Sequence, residues 1–185
     1  TITGLSMLFV SGVSVKYILG VGLGLILLLG SLVYFTPYLQ ERVKTFIHPS
    51  IDSQGSSYQI QQSLIALGSG GVFGRGFGQS VQKFSYLPEP QGDSIFAVLG
   101  EELGFTGAFI TIFLYVLFVL RGFRIANRAP DYFSGLLVSG IVILITVQSF
   151  MHIASITGVF PLTGVPLVFM SHGGTALLIY LMATG

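Results

Sequence analysis

The chain contains no cysteine, which excludes a disulfide framework, a thiolate metal site and a thiol nucleophile. Charge is almost as scarce: 8% of the 185 residues are Asp, Glu, Lys or Arg, against roughly a quarter in an ordinary soluble domain. Such a chain cannot cover a water-facing surface. The formal net charge is +1 and no run of Lys or Arg carries interleaved aromatics, so a nucleic-acid or other polyanion surface is excluded. The three histidines are scattered without a spaced partner and make no zinc site. Nor do apolar and polar residues alternate over long stretches as the strands of a transmembrane barrel require.

What is present is long apolar runs, and a bilayer-crossing helix needs about 20 such residues. Ile2 to Val10 reads as the end of one helix, closed by Ser11-Gly12 and a short turn carrying Lys16. Tyr17 to Phe35 is a span of nineteen residues without charge, ended by Pro37. A third run starts at Ile95, is interrupted by Glu101-Glu102 and continues to Leu120. A fourth runs from about Phe133 to Phe160, Pro161-Leu-Thr-Gly-Val-Pro166 breaks it, and a fifth, incomplete span begins near Gly173. The predicted fold is all-α: one polytopic membrane domain over residues 1–185 with about five full or partial spans. Thr1 lies inside one apolar stretch and Leu177 to Gly185 inside another, so the chain is expected to be the second half of a larger membrane protein. Arg121, Arg124 and Arg128, with Lys16 at the turn on the same side, mark that side as cytoplasmic. Arg42 and Lys44 oppose this orientation, which makes the long loop over residues 36–93 extracytoplasmic.

That loop has too many apolar and aromatic residues for disorder. Ile60, Leu64 and Leu67 recur at helical spacing among Gln59, Gln61, Gln62 and Ser63, the pattern of an amphipathic helix lying on the membrane surface. The glycine run Gly68-Ser-Gly-Gly-Val-Phe-Gly-Arg-Gly-Phe-Gly78 fails the dinucleotide fingerprint and lacks a P-loop ending. A compact turn is its plain reading. The sharper one is a pyrophosphate cradle, with backbone amides assisted by Arg75 and Lys83.

Leu87-Pro-Glu-Pro-Gln-Gly-Asp-Ser-Ile-Phe96 sets Glu89 and Asp93 in a stiff turn where the chain re-enters the membrane. A carboxylate desolvated there becomes a better base. Its position just before a helix equally suits Asp93 as an N-cap, and local physics favours the cap. Glu101 and Glu102 would cost about 2.5 to 3.5 kcal/mol each if embedded in the bilayer. Either they pair with cations such as Arg75 or Lys83, or they shape a catalytic or metal-binding cavity. Gln148 and His152 share a face of the fourth span, and interhelical hydrogen bonding is the default for such residues.

Taken in order, Tyr58-Gln59, Gln62-Ser63-Leu-Ile-Ala66, Gly68-x-Gly70-Gly71, Phe73-Gly74, Gly76-x-Gly78, Ser80-Val-Gln-Lys83, Leu87-Pro-Glu89, Asp93-x-Ile-Phe-Ala97 and Gly100-Glu-Glu-Leu-Gly104 closely resemble the SEDS family, the FtsW/RodA peptidoglycan glycosyltransferases. Pro161-Leu-Thr-Gly-Val-Pro166 and Ser171-x-Gly-Gly174 extend the resemblance over nearly the whole chain. Ser80-Val-Gln-Lys83 is closer to division-type FtsW members than to elongation-type RodA members. The chain departs from the family at Glu89-Pro-Gln-Gly-Asp93, where Glu-Ala-His-Thr-Asp is usual. It departs again at His172 for Tyr, His152 for Asn, and His48 before Pro49.

The resemblance implies a ten-helix, multi-pass protein of the bacterial plasma membrane that polymerises lipid II, the undecaprenyl-pyrophosphate-linked disaccharide-pentapeptide, in septal wall synthesis. Asp93 falls on the family's essential carboxylate and is the expected general base. Arg75, Lys83, Glu89, Gln62 and Ser63 are the candidate substrate contacts, with Glu101, Glu102, Gln148 and His152 structural or cavity-shaping. A divalent cation (Mg or Mn) would meet the leaving pyrophosphate. The implied partners are a class B penicillin-binding protein, other divisome proteins and membrane lipids. Two alternatives are a lipid II flippase and a non-catalytic division scaffold. Transport would require ionisable groups along a mid-membrane path, and the spans are nearly free of charge.

Overall fold

The computed structural model describes residues 2–40, 56–85 and 87–185. Arg42, Lys44 and His48 lie outside them. Among the described residues every regular element is a helix: α1 (Ile2–Val10), α2 (Val15–Phe35), α3 (Ser56–Ser69), α4 (Gln82–Ser85), α5 (Ile95–Ala126), α6 (Tyr132–Ile156) and α7 (Gly174–Thr184). Of these, α2, α5 and α6 are long and apolar enough to cross a membrane, while α7 is apolar but only 11 residues long. The helix α2 stops where the sequence requires. Thr36 is extended (φ −114°, ψ 109°), because the residue before a proline is pushed out of the helical region.

The chain divides into two compact units, Thr1–Glu41 with Val116–Val147 and Arg42–Tyr115 with Gln148–Gly185. In the first, α1 turns into α2 through Gly12 at φ +74°, and the Tyr132 hydroxyl donates to the Ser11 carbonyl (2.9 Å). Small residues let the helices approach: a methyl added at Gly122 would stand 2.3 Å from the Val142 side chain, the close contact that glycine permits between membrane helices. None of α2 is buried, and Leu19, Leu23, Ile26 and Leu27 are all more than 60% exposed. That surface fits hydrocarbon, not water.

Asp131 caps α6. Its carboxylate accepts from the Ser134 amide (2.9 Å) and hydroxyl (2.8 Å). These bonds hold its carboxyl below the ordinary carboxylate range. A depressed folded-state value means the stabilisation is complete above the unfolded value, about 3.9, and is lost as pH falls through the folded one. Asp131→Ala is therefore expected to lower the melting temperature at pH 7, with the difference from the parent shrinking as the pH falls below the ordinary carboxylate range, a series readable by thermal unfolding in detergent.

In the second unit the apolar core joins Ile60 of α3, Phe96, Ala97 and Tyr115 of α5, Ile153 and Ile156 of α6, and Leu162 and Leu167 of the segment that follows. The helix α3 forms, and the side it packs into the unit is set mostly by small residues. Ser57, Ile60, Ser63 and Ala66 are buried, whereas Leu64 and Ile65 are about half exposed. Spaced three apart, these mostly small residues allow α3 to pack tightly within the unit. Leu67 fits against Gly100, where an added methyl would meet its side chain at 2.3 Å.

The interruption expected at Glu101-Glu102 is real but lies at Gly104, whose φ of 67° and ψ of −165° break α5. The glycine run closes the break. Arg75 N donates to Glu101 O (3.0 Å) and Gly76 N to Glu102 O (3.0 Å), while Phe105 N donates to Gly71 O (2.8 Å) and Thr106 N to Val72 O (3.1 Å). The backbone groups that a broken helix leaves open are thus paired by the loop. After the break, residues 105–126 alone extend about 33 Å at 1.5 Å per residue, enough to cross about 30 Å of hydrocarbon. Glu101 and Glu102 precede that stretch and need not enter the bilayer.

Candidate functional site

Two segments of the second unit meet at Asp93, the turn over residues 88–94 and the stretch over residues 157–173. The turn over residues 88–94 is held by the Glu89 carbonyl, which accepts from Gly92 N (3.1 Å) and Ser94 N (3.2 Å), and it places Glu89 itself at φ 46°. Ser94, not Asp93, occupies the cap of α5: its carbonyl accepts from Ala97 N (3.0 Å) and Val98 N (3.2 Å). The buried Ser94 hydroxyl donates to Pro88 O (3.0 Å) and accepts from Gln59 Nε2 of α3 (3.1 Å). The N-cap role expected for Asp93 on local grounds therefore falls to its neighbour.

On the other side runs the segment over residues 157–173. Ser171 Oγ donates to Gly92 O (2.8 Å) and accepts from Leu167 N (2.8 Å), and His172 N donates to Gln91 O (2.8 Å). Gly164, at φ +62°, lies beneath the acid: the position its missing methyl would take is 3.4 Å from Asp93 Oδ2. His152 Nδ1 bonds the Val165 carbonyl at 2.8 Å, and Asp93 is near enough for its charge to act on the imidazole. Asp93 is half-buried, and no hydrogen bond holds its carboxylate among the described residues. It is anchored through its backbone neighbours, and among the described residues its oxygens are left free.

The other acidic groups are differently placed. Glu101 is fully buried and accepts from the Ser80 hydroxyl (2.5 Å) and the Val81 and Gln82 amides (3.1 and 3.4 Å), with Arg75 Nη1 at 3.6 Å. Glu102, also buried, has Lys83 Nζ at 3.9 Å, an ion pair too long to count as a hydrogen bond. The Glu89 side chain is exposed, with Oε2 3.6 Å from the position a methyl on Gly92 would take. Gln148 accepts from the Tyr180 hydroxyl of α7, an interhelical bond. Among the described residues no three His, Cys, Asp or Glu side chains cluster as metal ligands would.

Two expectations need correction. Three amides of the glycine run, those of Gly74, Arg75 and Gly76, are not open to a pyrophosphate, since they are spent on Gly70, Glu101 and Glu102. The physical reason is the helix break, which needs the same groups. Ser63, expected to touch substrate, is wholly buried on the packed face of α3, while Gln62 beside it is half-buried.

The family model described as Cell cycle protein, which groups FtsW, RodA and SpoVE, matches residues 1–185. The chain belongs to the FtsW/RodA/SpoVE family. It is 46% identical over 185 residues to Stage V sporulation protein E of Bacillus subtilis (strain 168), covering 99% of this chain and 50% of that protein. It is 42% identical over 179 residues to a protein of Geobacter sp. (strain M18) named "Probable peptidoglycan glycosyltransferase FtsW", covering 97% and 49%. A chain from a solved structure, described as "Structural coordination of polymerization and crosslinking by a peptidoglycan synthase complex", matches with TM-score 0.74 and 27% identity over 96% of this chain and 49% of that one. The chain thus spans about half the length of the relatives it matches.

In this FtsW/RodA/SpoVE chain the site includes residues that sequence reasoning did not single out: Gln59, Ser94, Gly164 and Ser171. Gly164 and Ser171 lie in the two late motifs that carried the resemblance, and nothing local said that these motifs face the turn some seventy residues earlier. The role of Glu101 is open to test. Glu101→Ala orphans the Ser80 hydroxyl and two amides, and is expected to destabilise the protein by about 3 kcal/mol. Most of this comes from the buried hydrogen bonds, since the Arg75 side chain is 43% exposed and its pairing is screened. A melting temperature unchanged from the parent would remove Glu101 from the account.

Proposed function

We propose that the protein containing this chain is a peptidoglycan glycosyltransferase of the plasma membrane. It polymerises lipid II during septal wall synthesis, together with a class B penicillin-binding protein and other divisome proteins. The observation that carries this reading is the state of Asp93: half-buried in a rigid turn, with its carboxylate free of hydrogen bonds among the described residues. Glu101 and Glu102 are instead committed to the loop that closes α5. A carboxylate fixed in place and not yet bonded can accept a proton.

In this mechanism Asp93 takes the proton from the 4-hydroxyl of the acceptor sugar as that oxygen bonds to the donor's anomeric carbon. The bond to pyrophosphate breaks, and pyrophosphate leaves with the electron pair. Such a leaving group needs no general acid, unlike the alkoxide of glycoside hydrolysis. Arg75 is 43% exposed and a guanidinium has five donors, so it can meet developing charge while keeping Glu101. Lys83 can do the same from beside Glu102. Glu89 and Gln62 line the approach. A divalent cation would supply further charge neutralisation, and since the described residues offer no ligand cluster, it would be held chiefly by the pyrophosphate itself.

The experiment is polymerisation of labelled lipid II by the full-length protein with its penicillin-binding protein, run beside a liposome translocation assay. Polymer whose formation depends on Asp93 supports the enzyme. Translocation independent of Asp93, without polymer, would replace it with the flippase. Partner binding with neither activity would leave the scaffold.

A further inference from the structure

We propose that His152 is a positioning residue for Asp93, acting through Val165 and Gly164; this rests on the reading of Asp93 as the base. His152 is 2% exposed, within a helix whose neighbouring side chains are mostly apolar. The Val165 carbonyl can only accept, so the 2.8 Å contact fixes the proton on Nδ1 and makes His152 the donor. Val165 follows Gly164, the residue that lies beneath Asp93 Oδ2. The histidine therefore sets the depth of the floor on which the carboxylate rests.

One turn later on the same helix, Ser155 Oγ lies 3.3 Å from both Pro161 O and Thr163 Oγ1. The segment is thus fixed before Gly164 by Ser155 and after it by His152. Beyond that point Ser171 and His172 tie it to Gly92 and Gln91. His152 supplies the bond at the residue that follows Gly164. Its Nε2 is buried without a partner among the described residues, a state that ordinarily costs stability. The donor that Nδ1 provides to Val165 O offsets part of that cost.

The test compares His152→Leu, which removes the donor, with His152→Asn, whose amide can restore it. Polymerisation kinetics are read in the full-length protein with its partner, and thermal unfolding is read alongside. Displacement of a reacting group by about 1 Å costs about 10²-fold in rate. His152→Leu is therefore expected to lower kcat by about that factor while leaving KM for lipid II near the parent value, and His152→Asn is expected to recover most of the loss. A lower melting temperature with parent kcat in the folded fraction, or equal loss in both variants, overturns the proposal. Asp93→Asn separates the two readings. If it retains polymerisation, the base assignment has failed; if it is inactive while His152→Leu is parent-like, only the positioning role has failed.

Discussion

Polymerisation by the full-length protein is expected to fall about 10²- to 10⁴-fold when Asp93 is replaced by asparagine, the range a positioned general base contributes. The substitution keeps the shape of the side chain and breaks no hydrogen bond among the described residues. The melting temperature should therefore stay at the parent value, and the penicillin-binding protein should still bind. A structural carboxylate behaves in the opposite way, as Glu101 would. Loss of stability without loss of turnover in Asp93→Asn would make the residue a structural carboxylate and not the base. The chemistry behind the expectation is simple: a sugar hydroxyl is a weak nucleophile, and amide nitrogen cannot take its proton.

Gly104→Ala should be among the most damaging single changes to the fold. Its backbone, at φ 67° and ψ −165°, is in a region essentially restricted to glycine. The added methyl would stand 2.3 Å from Gly74 N and 2.6 Å from Val72 O. Neither is a side-chain end that can swing away; both belong to the backbone that closes the helix break. The expected cost is about 3 kcal/mol or more, seen as a large drop in melting temperature and in folded yield. Gly74→Ala should behave alike, since its methyl would be 2.1 Å from Glu102 O. Gly68→Ala, with nothing within 4 Å, should stay near the parent, and a similar loss there would show that the loop's docking is not what the glycines protect.

The spans were legible because a run such as Tyr17 to Phe35 has one physical destination. The end of α2 followed from Pro37, whereas α6 stops at Ile156, ahead of the Phe160 expected from Pro161 to Pro166, with Gly158 at φ +73° just beyond it. The break in α5 was not legible at its true position. Two adjacent glutamates look like an interruption, whereas a glycine at positive φ leaves no mark in a sequence. The helix from Tyr58 was legible, but the side it packs into the protein was not. Hydrophobicity selected Ile60, Leu64 and Leu67, but tight packing rewards small residues, and Ser57, Ser63 and Ala66 took the buried side with Ile60. Asp93 was located by its motif alone. What leaves its carboxylate free is set by Ser94, which took the cap, and by Gly164 and Ser171, which arrive from the far end of the chain.

The glycine run shows the difference between a motif and its use. Amides and a nearby arginine suggested a cradle for phosphate, yet the same amides satisfy carbonyls opened by Gly104. Those amides serve the shape of the loop, while the Arg75 guanidinium stays 43% exposed. Among the described residues, the turn at residues 88–94 is where a half-buried acid without a hydrogen bond remains.

The account therefore stands on one comparison: glycan chain formation from labelled lipid II by the parent protein and by Asp93→Asn, each reconstituted at full length with the penicillin-binding protein and matched for folded amount. The expected result is polymer from the parent and essentially none from the variant, with both still binding the partner. Polymer of parent length formed at parent rate by Asp93→Asn would contradict it.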